Sequence, residues 1–303
     1  MGEIHLRPRQ IIIIVVIFVV IILFITNTRQ NCEFPKYYRS SARKDDLPTI
    51  FAITPTYYRP VQKAELTRLS HVVMLVPNVH WIIVEDADHT SSLVTNLLQR
   101  AGLVERSTQL SAKTPTQFKL QGKDPNWSKP RGVEQRNAAL RWIRENTSKD
   151  DRGVVYFMDD DNAYSVELFE EMNKIQAERV GVWPVGLVGG LMVEKPILNN
   201  ENIVTGFNAA WRPERPFPLD MAGFAISLDL LHKRPEAVFS FEVERGYQES
   251  EILRHVTVLK ELQPLANLCK EVLVWHTRTE KPKLTEEEKL RKAGKSSFDG
   301  IEV

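Results

Sequence analysis

The sequence predicts an α/β fold: a Rossmann-like, mostly parallel sheet with helices on both faces, behind an amino-terminal transmembrane helix. Three observations carry this. Val154-Val155-Tyr156-Phe157-Met158 is a β-branched and aromatic run without period-2 alternation, as expected of a strand covered on both faces. It halts in consecutive carboxylates, Asp159, Asp160 and Asp161, at the carboxyl end of a strand, where open α/β sheets build ligand sites. Upstream, short apolar runs alternate with helix-like stretches, the order of βαβ units.

The 303 residues include 40 basic and 39 acidic side chains and are 43% hydrophobic, enough for one large domain or two fused halves. Near-neutral charge and the lack of a long basic run give no support for a nucleic-acid partner. No charge lies between Arg9 and Arg29, and a helix there would span roughly 28 Å, close to a bilayer core. A cleaved signal peptide competes with an uncleaved anchor, but Thr26-Asn27-Thr28-Arg29-Gln30 offers no A-x-A-like site. The expectation is a cytosolic tail over 1–9 carrying His5, Arg7 and Arg9, a signal anchor over 10–28, a polar stem over 29–47 and a lumenal domain over 48–303. Such a single-pass type II arrangement with a short span suits the Golgi membrane. Cys32 stands where it could pair with its counterpart in a second chain, whereas Cys269 lies in an apolar context and reads as a buried thiol. In a lumen, the sequons at Asn126 and Asn146 are open to glycosylation.

Thr49–Thr54 reads as the first strand, broken by Pro55. A helix follows over Val61–Leu75, a strand over Trp81–Val84 ending in Glu85-Asp86, and a helix over Leu93–Ala101 stopped by Gly102. Arg131-Gly132-Val133-Glu134-Gln135-Arg136 opens a helix that runs to about Asn146. Beyond the acidic loop, Gly186–Val193 reads as a glycine-marked strand, Met221–Ile226 as another, Gly246–Ser250 as a helix start and Val272–Trp275 as a last strand before His276.

Adjacent carboxylates repel, so Asp159–Asp161 is costly unless a cation neutralises it or water solvates it fully. Oxygen ligands favour Mg²⁺ or Mn²⁺, which can hold a diphosphate through its remaining positions. The bland alternative is a solvated turn before a helix. Arg131 and Arg136, near a helix amino terminus where anions are favoured, would face such a diphosphate; otherwise they are surface arginines. The Gly189-Gly190 pair is a weak phosphate signature. Gly206–Asp220, rich in Trp, Pro, Arg and Phe, suits an aromatic-lined wall.

Pro55-Thr56-Tyr57, Val84–Ala87, Pro130–Asn137, Val155–Asn162, Trp183–Gly190 and Val274–Pro282 together resemble the animal β-1,3-glucuronosyltransferases of the Golgi, over about residues 48–303. The resemblance implies a GT-A glycosyltransferase fold, with 48–190 binding a nucleotide sugar and 191–303 an acceptor. It also implies a UDP-glucuronate donor, Mn²⁺ and inversion at the anomeric carbon. Carried over by motif, Pro55, Thr56 and Tyr57 would contact uridine, Asp86 the uracil, and Arg131 and Arg136 the donor's anionic groups. Asp159 and Asp160 would hold the ribose and sugar, Asp161 the Mn²⁺, and His276 and Arg278 the diphosphate. Arg136, Arg245 and His276 are candidates for reading the donor carboxylate, since rejection of UDP-glucose needs a cation near C6.

Inversion needs one base opposite the leaving group. The resemblance puts that on Glu249, which sequence alone does not single out from Glu194, Asp220 or Glu251. Trp211, Arg215 and Asp220, with Glu194, make a platform for a sugar, although Trp211 could instead pack under the Pro-rich loop. Trp211 and Phe217-Pro218 look most like the branch that acts on Galβ1-3Galβ1-4Xyl of proteoglycan core proteins. Transfer to N-acetyllactosamine, and an inactive lectin-like protein, are the alternatives. In the family, carboxyl-terminal residues of one subunit reach the partner's acceptor site, so the apolar Ile301-Glu302-Val303 ending leads to the expectation of a homodimer with its site completed in trans.

Overall fold

The computed structural model describes residues 47–119, 129–277, 279–280 and 282–302. The expected tail, anchor and stem up to residue 46, with Cys32, the sequon at Asn126, Arg278 and Val303, lie outside the described residues. No helix among the described residues is long and apolar enough to cross a membrane.

The chain lays down β1 (Thr49–Thr56), α1 (Gln62–Leu75), β2 (Val79–Glu85), α2 (Ser92–Arg100), β3 (Ser107–Ser111), α3 (Val133–Asn146) and β4 (Gly153–Phe157), the expected βαβ succession. Then follow β5 (Ala163–Tyr164), α4 (Val166–Met172), β6 (Val180–Val182), β7 (Val185–Gly186), β8 (Val193–Leu198), β9 (Val204–Asn208) and β10 (Phe224–Ser227). The last elements are α5 (Leu228–Lys233), α6 (Gln248–Val256), β11 (Leu262–Pro264), β12 (Val274–Trp275) and α7 (Thr285–Lys292). The main sheet runs in the order β11-β6-β10-β4-β1-β2-β3. Its strands are parallel apart from β10, which pairs antiparallel with both β4 and β6, so the mostly parallel expectation holds.

Burial explains the central strand. Val154, Val155, Tyr156 and Phe157 of β4 are each at most 1% exposed, the reason their sequence shows no alternation. Val133, Ala139, Leu140 and Ile143 give α3 an apolar face that joins Phe157, Phe224, Ile252 and Leu253 in the core. Register then places the site. Thr56 pairs with Glu85 and Ile53 with Phe157, so β1, β2 and β4 end close together. One residue further, Met158 N–H donates to the Ile53 carbonyl at 2.8 Å and Thr54 Oγ1 donates to the Met158 carbonyl at 2.7 Å. Asp159–Asp161 therefore emerge beside Pro55 and Thr56.

A second sheet, β5-β12-β7-β8-β9, carries β12 to the same edge. Trp275 pairs with Ala163 and with Gly186, and a Cβ on Gly186 would meet the Trp275 ring at 2.5 Å. Thr277 Oγ1 donates to the Asp161 carbonyl, which draws the segment after β12 onto the acidic loop.

Two elements differ from expectation. Gly186–Val193 is not one strand but the end of β7, a hairpin connection and the start of β8: Leu187, Gly189 and Gly190 take φ of 59°, 61° and 81°, and Gly186 pairs back with Val193. A glycine pair accepts that backbone at little steric cost, so the apolar run bends. Met221–Gly223 is a short helical turn, capped by Asp220 accepting from Ala222 N–H at 2.9 Å, and the strand starts only at Phe224. Cys269 is 3% exposed, and burial pushes its thiol up to about 12, as expected of a buried thiol.

Candidate active site

Two adjoining concavities lie at the carboxyl edge of the sheet. The smaller, about 150 Å³, is bounded by Pro55, Tyr57, Asp86, Arg131, Arg136 and Asp159–Asp161, which brings together most residues expected to bind a donor. Tyr57 is 47% exposed, leaving a ring face free for stacking. Asp86 is oriented by Thr114, whose N–H and hydroxyl donate to its two oxygens at 2.8 and 3.0 Å. Thr56, expected to contact uridine, is buried instead and donates its hydroxyl to Asp160 Oδ2 at 2.8 Å.

Gly132 explains how Arg136 enters. With φ of 75° it caps α3 in a left-handed conformation, and a Cβ there would lie 2.5 Å from Arg136 Nη1. The missing side chain lets the guanidinium fold back over the helix start and pair with Asp159 Oδ1 at 2.6 Å. Asp160 pairs with Arg59 at 2.7 Å. Asp161 pairs with no cationic side chain at ion-pair distance among the described residues, and burial, then the charge of Asp159, holds its carboxyl above the usual range.

That asymmetry tests the expected metal. Among the described residues no three His, Cys, Asp or Glu side chains converge to hold an ion by themselves. A divalent cation would rest on Asp161 and take its other ligands from a diphosphate, and a half-buried carboxylate with no arginine or lysine at ion-pair distance among the described residues fits that role.

The larger cavity, about 1220 Å³, joins both halves of the chain through Arg131, Glu194, Trp211, Asp220, Arg245, Glu249 and His276. Glu249 sits in the first turn of α6 with its side chain 15% exposed, and its cation neighbour Arg215 Nη1 is 3.8 Å away. Burial, then the charge of Asp220, pushes Glu249 up to about 7, despite its position at a helix amino terminus. Of the carboxylates open at the sequence level, Glu251 instead pairs with Arg254 at 2.7 Å, and Glu194 is held above its usual range by burial. Glu194 lies against Gly189, where a Cβ would come within 2.1 Å of its Oε1.

Asp220 lines the cavity with both carboxylate oxygens already engaged. One oxygen caps the Met221 turn and the other lies 3.0 Å from His276 Nδ1, whose imidazole this carboxylate holds more basic than usual. Arg215 is similarly occupied, donating to the Arg212, Trp211 and Gly246 carbonyls. It fixes the wall on which Trp211 sits. Trp211 packs over Gly246, where a Cβ would meet the ring at 2.0 Å, with Arg215 and Arg245 at 5.1 and 5.5 Å from the ring centroid. Trp211 still lines the cavity, so packing and platform roles coincide.

Arg59, Gln62 and Glu65, which organise the edge of the smaller pocket, were not anticipated; a Tyr-Tyr-Arg run just past a strand end was their only signal. The carboxyl-terminal segment, expected to reach the acceptor site of a second subunit, packs within the single chain against the donor side. Within the single chain, Glu302 lies on α1 and α2, with Asn96 Nδ2 donating to it at 2.6 Å and Lys63 Nζ 3.4 Å away, next to Tyr57 and Asp86.

The chain carrying this fold and these pockets is a glycosyltransferase by family. The chain belongs to glycosyltransferase family 43, whose family model matches residues 69–280. It is 62% identical to galactosylgalactosylxylosylprotein 3-beta-glucuronosyltransferase I of Drosophila melanogaster, covering 100% of both chains. It is 52% identical to galactosylgalactosylxylosylprotein 3-beta-glucuronosyltransferase 3 of Mus musculus, over 85% of this chain and 78% of that relative. The Rattus norvegicus galactosylgalactosylxylosylprotein 3-beta-glucuronosyltransferase 1 is 50% identical over 84% of this chain and 75% of its own.

Proposed function

We propose that this chain is an inverting glucuronosyltransferase that moves glucuronate from UDP-glucuronate to the 3-hydroxyl of a terminal β-galactose, with Galβ1-3Galβ1-4Xyl of the proteoglycan linkage region as acceptor. The acceptor follows from the reaction for which the relatives are named, at up to 62% identity across the whole chain. The mechanism rests on Glu249, a carboxylate pushed up to about 7 in the cavity where the donor-side groups meet the Trp211 wall.

A base near neutral pKa combines adequate basicity with a usable deprotonated fraction. Glu249 takes the proton of the acceptor hydroxyl, the oxygen attacks the anomeric carbon, and the bond to UDP breaks on the opposite face. His276, kept basic by Asp220, and Arg131 face the departing diphosphate and balance its charge. Mn²⁺ held by Asp161, when bound, neutralises charge on the diphosphate. Arg245 and His276, on the larger cavity, and Arg136, on the smaller, remain the candidates for reading the donor carboxylate.

The protein works, in this reading, as a Golgi single-pass type II homodimer, a disulfide through Cys32 being one means of linkage. The uncharged span over residues 10–28 supports the anchor. Asn146, exposed at the end of α3, is then open to glycosylation. The test is transfer of labelled glucuronate to Galβ1-3Gal and Galβ1-4GlcNAc acceptors. Preference for Galβ1-3Gal is expected; preference for Galβ1-4GlcNAc overturns the acceptor assignment, and no transfer to either overturns the activity.

A further inference from the structure

Arg59, in the loop after β1, joins groups that come from different parts of the chain. Its guanidinium reaches Asp160 Oδ1 at 2.7 Å and also pairs with Glu65 on α1. Its Cζ stands 4.6 Å from the centroid of the Tyr57 ring, and Nη1 donates to the Tyr57 carbonyl at 3.2 Å. Asp160 is gripped from its other side by Thr56 Oγ1 at 2.8 Å, and Thr56 in turn accepts from Gln62 Nε2 at 3.2 Å. The setting is nearly dry: the side chains of Arg59, Asp160 and Glu65 are 13%, 10% and 4% exposed. Charge pairs are much less screened there than at a surface.

An arginine suits this position better than a lysine. Its flat guanidinium can lie against an aromatic ring while the rim donates in fixed directions to two carboxylates. Without it, Asp160 and Glu65 would be two nearby negative charges with no cation between them, and Asp160 would lose its fixed rotamer. The same loss would free the exposed Tyr57 ring to turn. A ring and a carboxylate held at constant separation match a ribonucleoside, which presents a flat base at one end and a hydrogen-bond-donating diol at the other.

We propose that Arg59 is the positioning residue of the nucleoside end of the donor pocket, fixing the Tyr57 ring and the Asp160 carboxylate relative to one another. The proposal rests on the reading above that the pocket takes a uridine nucleotide. It makes Arg59 act through two neighbours, without itself touching phosphate or sugar.

The test compares wild type, Arg59→Gln, Arg59→Lys and the Arg59→Gln/Glu65→Gln pair, each with its Tm measured. UMP, UDP and inorganic diphosphate are titrated in the presence of Mn²⁺, and KM is determined for donor and acceptor. Arg59→Gln is expected to weaken UMP and UDP by the same factor, about tenfold, the scale of one charge-assisted hydrogen bond. KM for UDP-glucuronate rises in step, kcat and acceptor KM change less than about threefold on the same scale, and diphosphate binds as before. Adding Glu65→Gln removes the facing carboxylate and restores part of the UMP affinity. If Arg59→Gln fails to fold, Arg59→Lys carries the test, with UMP expected to weaken about threefold, a fraction of that bond. UMP affinity within about twofold of wild type in a folded variant, or a fall in kcat at constant donor KM, overturns the proposal. Failure of the uridine reading itself looks different: wild type then binds neither UMP nor UDP, and the proposal falls with it.

Discussion

The donor pocket and the acceptor cavity are built from the same residue types and treat charge in opposite ways. In the donor pocket, arginines already stand on the carboxylates, Arg136 on Asp159 at 2.6 Å and Arg59 on Asp160 at 2.7 Å. In the acceptor cavity Asp220 is matched by His276 at 3.0 Å, but Glu249 is left with a weak counter-charge: Arg215 comes no nearer than 3.8 Å and the carboxyl is pushed up to about 7. Pairing makes a rigid frame whose dipoles need no rearrangement when a charged ligand arrives. Withholding a partner keeps one carboxylate basic enough to take a proton near neutrality. Within the Asp159–Asp161 run Asp161 is the exception: it has no arginine or lysine at ion-pair distance among the described residues, and burial and Asp159 hold its carboxyl high.

The largest break in this contrast comes from Asp161→Ala, which removes the one carboxylate of the Asp159–Asp161 run without an arginine at ion-pair distance among the described residues. Several kcal/mol of leaving-group stabilisation is lost with the metal, so transfer should fall by about 10³-fold or more. The fold, checked by Tm, should persist, and EDTA should silence the wild type reversibly. Full activity in EDTA would sink the metal assignment.

On the acceptor side, Glu249→Gln keeps the shape and removes the base, with an expected loss of at least about 10²-fold in kcat and nearly unchanged UDP affinity. The pH profile carries a sign. Because burial raises Glu249 to about 7, the proton stays on below that pH, and kcat/KM should climb as pH rises through about 7. The same shift makes the folded state bind a proton that the unfolded state has released, so this group favours folding less as pH rises from the ordinary glutamate range toward 7. An Asp220→Asn variant, which removes the second cause of the shift, should move the acid limb to lower pH. A limb that stays put would mean that another group sets it.

The contrast also explains what could be read from the sequence. The donor side was legible because it hangs on strand ends: the buried run of β4 and its terminal aspartates follow from composition alone, and register places them beside Pro55 and Thr56. The acceptor side is assembled by irregular backbone. Trp211 owes its place to Gly246, with φ of 81°, and Glu194 to the turn at Gly189, contacts that no periodicity announces. The Gly186–Val193 run even mimics a strand. Motif resemblance named Glu249, but only burial and the nearness of Asp220 distinguish it from Glu251, which sits two residues away and is neutralised by Arg254. Thr56, Arg215 and Asp220 line the pockets as expected, and their further bonds, to Asp160, to the Trp211 and Gly246 carbonyls and to His276, could not be read from the sequence because hydrogen-bond partners are set by tertiary structure.

A smaller effect is expected in donor choice. Arg245 and His276 line the larger cavity and Arg136 is committed to Asp159, so the three need not act alike. Replacing Arg245 and His276 by neutral residues should shrink the preference for UDP-glucuronate over UDP-glucose by about tenfold or more, since the carboxylate loses its charged partners. Arg136→Gln should instead raise KM for both donors together. An unchanged preference in the Arg245/His276 double variant places carboxylate reading elsewhere.

The smallest effect tests which of the two regions the carboxyl-terminal segment serves. Phe298, Ile301 and Glu302 line a cavity of about 370 Å³ with Tyr57, Asp86 and Leu93, and Glu302 is held by Asn96, Lys63 and Arg100. The Lys63 and Glu302 side chains are 29% and 27% exposed, so the ion pair is partly screened and worth little on its own. Deleting residues 298–303 should therefore raise KM for UDP-glucuronate only about threefold, less than tenfold, with acceptor KM changing less. Lys63→Ala should reproduce part of that rise, and its effect should vanish at high ionic strength, where a pair of this kind is screened out. The family resemblance points the other way, to a segment that reaches the acceptor cavity of a second subunit. A truncation that raises acceptor KM and leaves donor KM alone would show the segment at work there, and would overturn the assignment of Glu302 to the donor side.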